Sequence, residues 1–147
     1  DKFAFIVNID DVDKIIVEGN GKTHTITLSR TTKKAKEKDK EDEVITTYKI
    51  DGKEVEEDPF KKYYQSLIGL LVDAETDEQP KAAPEVKTTF YLNKGKNREI
   101  NVNYAPYDRD FYVVVRGGKA EFVINRQQVQ DMLNDLELLI QGKLEKD

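Results

Sequence analysis

His24 is the only histidine in the chain, and there is no cysteine. A lone imidazole can act as a general base, but a triad also needs a nucleophile and an orienting acid in a recognisable setting. His24 lies between Thr23 and Thr25 in a β-branched run. It is read as an exposed strand residue, on the face turned away from the core. A zinc site built from several His or Cys ligands is excluded by counting, as are disulfides and thiol nucleophiles. Asp10, Asp11 and Asp13 are spaced closely enough to suggest a hard cation, since calcium favours clustered carboxylates. They lack the glycine and the trailing glutamate of an EF-hand loop, so they are read as a polar break between two apolar segments.

Glycine pairs raise the question of phosphate binding. Gly117-Gly118 and Gly19-Asn20-Gly21 each lie between two strands. A phosphate cradle leads into a helix N-terminus instead, so both are read as hairpin turns. The richest cluster is Tyr104, Tyr107, Asp108, Arg109, Asp110 and Tyr112. Tyrosine offers apolar area with a polar tip, which suits a recognition surface. Tyr104, Tyr107, Arg109 and Tyr112 are therefore the candidate binding residues. No catalytic residue, metal ligand or cofactor is assigned, because no spacing singles out a pair of carboxylates for acid–base work.

The elements that must position these residues follow from periodicity. Phe3–Ile9 is a short apolar run, an edge strand or a segment laid across the core. Lys14–Glu18 and Thr23–Arg30 alternate about the Gly19-Asn20-Gly21 turn and make a hairpin. Residues 31–43, TTKKAKEKDKEDE, hold nothing more apolar than Ala35 and read as a mobile, solvated loop. Val44–Ile50 is a strand, Asp51-Gly52 a turn, and Lys53–Val55 a short return. A helix starts at Asp58-Pro59, with Asp58 accepting from free helix amides. Its apolar stripe is Phe60, Tyr64, Leu67 and Leu71, widened by Tyr63 and Ile68.

Residues 75–85 read as a linker, with two prolines and several acids. Then come strands over Val86–Leu92, Arg98–Tyr104, Phe111–Arg116 and Ala120–Ile124. Asn125 is the natural cap of a final helix lined by Val129, Met132, Leu133, Leu136 and Ile140. The halves can be overlaid. A shift of 74 places Ile26 on Ile100, and a shift of 69 places Phe60, Tyr64, Leu67 and Leu71 on Val129, Leu133, Leu136 and Ile140. Between these anchors, either Tyr48–Ile50 falls on Phe122–Ile124 or Asp51-Gly52-Lys53 falls on Gly117-Gly118-Lys119. The fold class expected is α+β: two related units, residues 1–74 and 86–147, each of antiparallel hairpins followed by a helix (ββββα-like), with the helices on one side of the sheets.

The totals bound the function. The chain has 147 residues and a net charge of −5. Residues 1–74 carry −3 and residues 75–147 carry −2, so neither half is a basic module and nucleic acid is not the expected partner. No run reaches the roughly 18 apolar residues of a membrane span.

Three stretches are similar to an uncharacterised bacterial family, the domain of unknown function 4340. They are FIVNIDDVDKIIVEGNGKTHTITL (residues 5–28), YKIDGKEVEEDPFKKYYQSLIGL (48–70) and YAPYDRDFYVVVRGGKAEFVINRQQVQDML (104–133). Relatives often carry a tryptophan in the third strand, where this chain has Tyr48. The resemblance implies an extracytoplasmic, membrane-anchored setting, with the anchor outside this chain and an envelope protein or transporter component as partner. It brings no catalytic residues. The expected function is a non-enzymatic domain that binds or scaffolds a protein or envelope component; the alternative is a small-molecule or peptide-binding module with its pocket near residues 104–112.

Overall fold

Alternating apolar residues build strands that can bury only one face, and here two amphipathic helices cover that face. The computed structural model describes residues 2–145. Eleven strands and two helices follow in chain order: β1 (Lys2–Phe3), a 3-10 turn (Ile9–Asp11), β2 (Val12–Gly19), β3 (Lys22–Lys33), β4 (Glu43–Ile50), β5 (Lys53–Val55), α1 (Glu57–Ile68), β6 (Leu71–Val72), β7 (Ala74–Glu75), β8 (Val86–Leu92), β9 (Glu99–Pro106), β10 (Phe111–Arg116), β11 (Lys119–Asn125) and α2 (Arg126–Ile140). The protein is α+β. Nine strands form one antiparallel sheet in the order β5-β4-β3-β2-β8-β9-β10-β11-β7, and β1 pairs separately with β6.

The centre of the sheet is the β2–β8 pair, with Ile15 opposite Phe90 and Val17 opposite Thr88. β2–β5 and β8–β11 therefore spread outward from one shared seam. Asp13 is an extra residue in β2, where the register to β8 shifts between Val12 and Lys14. This bulge lets Val12 and Ile15, three apart, share the buried face. Thr88, fully buried at the seam, donates from Oγ1 to the Val102 carbonyl at 2.7 Å, which satisfies its hydroxyl.

The helix-covered face holds one large core running from Phe5 and Ile15 through Phe60 and Phe90 to Leu136. The second face has only a small apolar patch, Ala105, Val113 and Ala120 with Tyr107 and Val115 against it. A register shift between Val114 and Val115 pairs Val115 with Ala120, beside that patch. α1 ends toward Leu71, whose amide and carbonyl are both held by the Gln128 carboxamide near the start of α2. Pro59 at the start of α1 lies in one groove with Leu139 and Ile140 at the end of α2, so the helices run antiparallel. Ser66 Oγ donates to Asp135 Oδ2 at 2.9 Å across their interface.

Several expectations shift by a turn or a few residues. The N-cap of α1 is Glu56, whose side chain does not cap the helix amides, and Asp58 lies in the first turn. There its charge still favours the positive helix end. α1 stops at Ile68, and Leu71 joins β6 rather than extending the stripe. The linker begins inside the sheet, because Ala74–Glu75 pairs with β11. β3 and β4 continue as a ribbon to Lys33 and from Glu43, which leaves only residues 34–42 as the charged loop. Of the N-terminal run, only Phe3 is in a strand; Ala4, Phe5 and Val7 lie across the core.

Candidate functional site

The tyrosine cluster divides between the two faces of the sheet. Tyr104 and Tyr112 alternate into the helix-covered core, with ring centroids 6.4 Å apart. Burial pushes both phenols up, Tyr104 the further. Tyr107 packs on the second-face patch, and the Arg109 side chain is 92% exposed beside Asp110. The four candidate residues do not converge on one surface.

The loop that carries them is held from within. Asp108 Oδ1 accepts from the amides of Asp110 and Phe111 at 2.9 and 2.8 Å, an Asx turn that bends the chain into β10. Arg126, the first residue of α2, staples the loop. Its guanidinium donates to the Phe111 and Asp108 carbonyls and stacks 4.7 Å from the Tyr112 ring centroid. Nothing in the sequence singled out Arg126 beyond its place directly after the Asn125 cap.

Asp10, Asp11 and Asp13 lie among cations and amide donors of the protein itself. Arg30 Nη1 and Asn93 Nδ2 both donate to Asp13 Oδ1, at 2.9 and 3.0 Å. Arg30 Nη2 donates to the Ile9 and Val12 carbonyls, and Lys94 lies 3.3 Å from Asp11. Asp11, Asp13 and Arg30 pin the 3-10 turn to the start of the sheet, and Asn93 Nδ2 holds the Asp10 carbonyl, so the polar break is a structural clamp. No group of three His, Asp or Glu side chains able to hold a metal ion occurs among the described residues.

His24 departs most from expectation. It shares the parity of Ile26 and Leu28, so its ring lies on the helix-covered face, and its side chain is only 17% exposed. Nδ1 is 2.6 Å from Asp51 Oδ2 in the β4–β5 turn, and Nε2 is 3.3 Å from Glu137 Oε1 on α2. Asp51 Oδ1 accepts from the Thr25 amide at 2.8 Å, and Lys22 Nζ donates to Glu137 Oε1 at 2.8 Å. A cavity of about 280 Å³ opens beside the ring, lined by Asn20, Lys22, Leu133, Asn134 and Glu137 among others.

Both carboxyls are held below their ordinary range. For Glu137 the main cause is the Lys22 hydrogen bond, which more than offsets burial. For Asp51, burial acts to raise the group, and the hydrogen bonds from His24 and the Thr25 amide together outweigh it. Both partners of the ring are thus carboxylates near neutral pH. Among the described residues, the ring nitrogens are hydrogen-bonded to these two carboxylates and to no hydroxyl.

One edge of the sheet is open. β5 covers β4 only at Tyr48–Ile50, so the outer edge of Glu43–Thr47 has no strand partner among the described residues. Val44 and Ile45 on this edge are 60% and 44% exposed. At the opposite end, β7 covers part of β11. Beside β5 runs a groove of about 390 Å³, walled by Lys53–Glu56, Pro59 and the end of α2. No helix among the described residues is long and apolar enough to cross a membrane. Comparison with family models, curated proteins and solved structures gave no match.

Proposed function

We propose that this protein is a non-enzymatic docking domain that binds or scaffolds another protein or a cell-envelope component. The observation that carries the reading is the outer edge of β4. Unpaired backbone N–H and C=O groups beside exposed Val44 and Ile45 are a ready template for an added strand. Natural proteins usually blunt such an edge with charge, proline or a covering segment, as β7 does for β11. The groove beside β5 favours a second form of the same role, in which the occupant is an extended peptide.

The chain is built of two related ββββα units sharing one core. Support comes from the matched order of four consecutive strands and a helix on each side of the β2–β8 seam. The Asp51-Gly52 and Gly117-Gly118 turns each join the third strand of a unit to its fourth, which favours aligning these turns with one another. An extracytoplasmic setting and an envelope or transporter partner are carried by the family resemblance alone.

The experiment is site-specific photo-crosslinking in the source cells. A photoreactive residue at position 45 gives a discrete adduct with a second protein. The same residue at Leu138, an exposed apolar position on α2 (38%), does not. Equal adduct at both positions, or none at 45, removes the edge as the docking site. An adduct with a second copy of this chain replaces the partner by self-association.

A further inference from the structure

His24 faces a chemical constraint that its two neighbours impose. A carboxylate offers only acceptors, and a neutral imidazole carries one N–H. With Asp51 at 2.6 Å from Nδ1 and Glu137 at 3.3 Å from Nε2, a neutral ring leaves one nitrogen lone pair facing a carboxylate oxygen. Only the imidazolium donates to both. The groups that face the ring are Asp51 from the β4–β5 turn, Glu137 from α2 and, through the shared Oε1, Lys22 from its own strand. Asn20 and Asn134 line the same cavity and do not titrate.

We propose that His24 is a proton-operated clasp between the β4–β5 turn and α2. Doubly protonated, the ring donates to Asp51 and to Glu137 and ties the two together. When Nε2 gives up its proton to solvent, Nδ1–H keeps its bond to the closer Asp51 and the link to Glu137 is lost. Lys22 then holds Glu137 alone. Glu137 is two residues before Leu139, and Leu139, Ile140, Gln141 and Gly142 wall the groove beside β5. Proton release therefore loosens one wall of that groove. The inference stands on the geometry at His24 and is independent of the docking role of the β4 edge.

The single histidine makes the test direct, because its ring signals need no assignment. Ring ¹⁵N shifts and amide exchange are followed by NMR on the full chain from about pH 5 to pH 9, spanning the range in which histidine ordinarily titrates. Exchange is corrected for its intrinsic pH dependence. As the ring loses its proton, protection in the last turn of α2 falls by roughly three- to tenfold, the range that losing one hydrogen bond of ordinary net strength produces. Protection of the core strand β8 does not change. Glu137→Gln keeps the shape of the side chain, and its carboxamide can accept from an imidazolium or donate to a neutral ring. In that variant protection becomes independent of the ring's state, and in His24→Gln it has no step at all. The proposal is overturned if protection in the parent passes unchanged through the ring's transition, or if Glu137→Gln retains the full parental step.

Discussion

Tyr104 shows what a single buried polar atom costs. Its ring is fully enclosed, and its buried hydroxyl has no hydrogen-bond partner among the described residues. Tyr64 is the contrast: its hydroxyl donates to the Val7 carbonyl at 2.7 Å and fastens α1 to the N-terminal segment. A buried hydroxyl without a partner loses its bonds to water and gains nothing in return. Tyr104→Phe is therefore expected to be neutral or to stabilise the fold by up to about 1 kcal/mol, whereas Tyr64→Phe costs about 1 kcal/mol. Urea midpoints for the two variants decide the matter. An equal loss in both would mean that the Tyr104 hydroxyl has a bonded partner, such as an enclosed water. Tyrosine at 104 was legible as an alternating strand residue, but its burial removes it from any surface role.

At the scale of elements, the periodicities located nearly every strand and both helices, because one-sided burial imposes period two on strands and 3.6 on helices. Boundaries were less legible. β3 runs on to Lys33 because pairing with β4 sustains a ribbon of polar residues that have no apolar signal of their own. β7 escaped notice because two residues beside prolines and acids hold a strand only through their pairing with β11. The start of α2 was legible in full. Asn125 accepts from the Gln127 amide at 2.7 Å, as an N-cap should. Asn125→Ala is expected to cost about 1 kcal/mol, while Asn125→Ser or Asp costs little. Thermal denaturation of the three variants tests this, and an equal loss in all would assign the effect to something other than the cap.

At the scale of the whole molecule, α2 lies so close over β2 that a Cβ on Gly19 would come within 2.8 Å of the Leu133 side chain. The charges along this contact link stability to acid. Glu137 and Asp51 have folded pKa values below their unfolded ones, so the folded state binds fewer protons than the unfolded state as pH falls. Their contribution is present above the ordinary carboxylate range and is lost as pH drops through the depressed folded values. Each group is partly exposed, Asp51 at 46% and Glu137 at 29%, so solvent screening keeps each contribution below about 1 kcal/mol. In the Asp51→Asn/Glu137→Gln double variant, stability near neutrality falls slightly and its decline below about pH 4.5 becomes shallower. Denaturation at several pH values would show this; an unchanged acid slope would place the dependence in other carboxylates.

Alone, the sequence determined the α+β class, the run of hairpins and the two helices with their apolar stripes. These depend on local periodicity and turn chemistry, which a chain carries in its own order. The side of the sheet on which His24 lies was carried by the shared parity of 24, 26 and 28, but the flanking threonines led to the opposite reading, and only the structure placed the ring under α2. Tertiary structure alone decided the partners. Asp51 is 27 residues from His24 and Glu137 is 113, and no local signal can pair groups so distant. It likewise decided that β2 and β8 meet to make one sheet, and that Arg126 staples the loop of Asp108. Burying the shared apolar face under the helices sets where the polar groups at its rim come to rest, and that arrangement is not written in any local stretch of the chain.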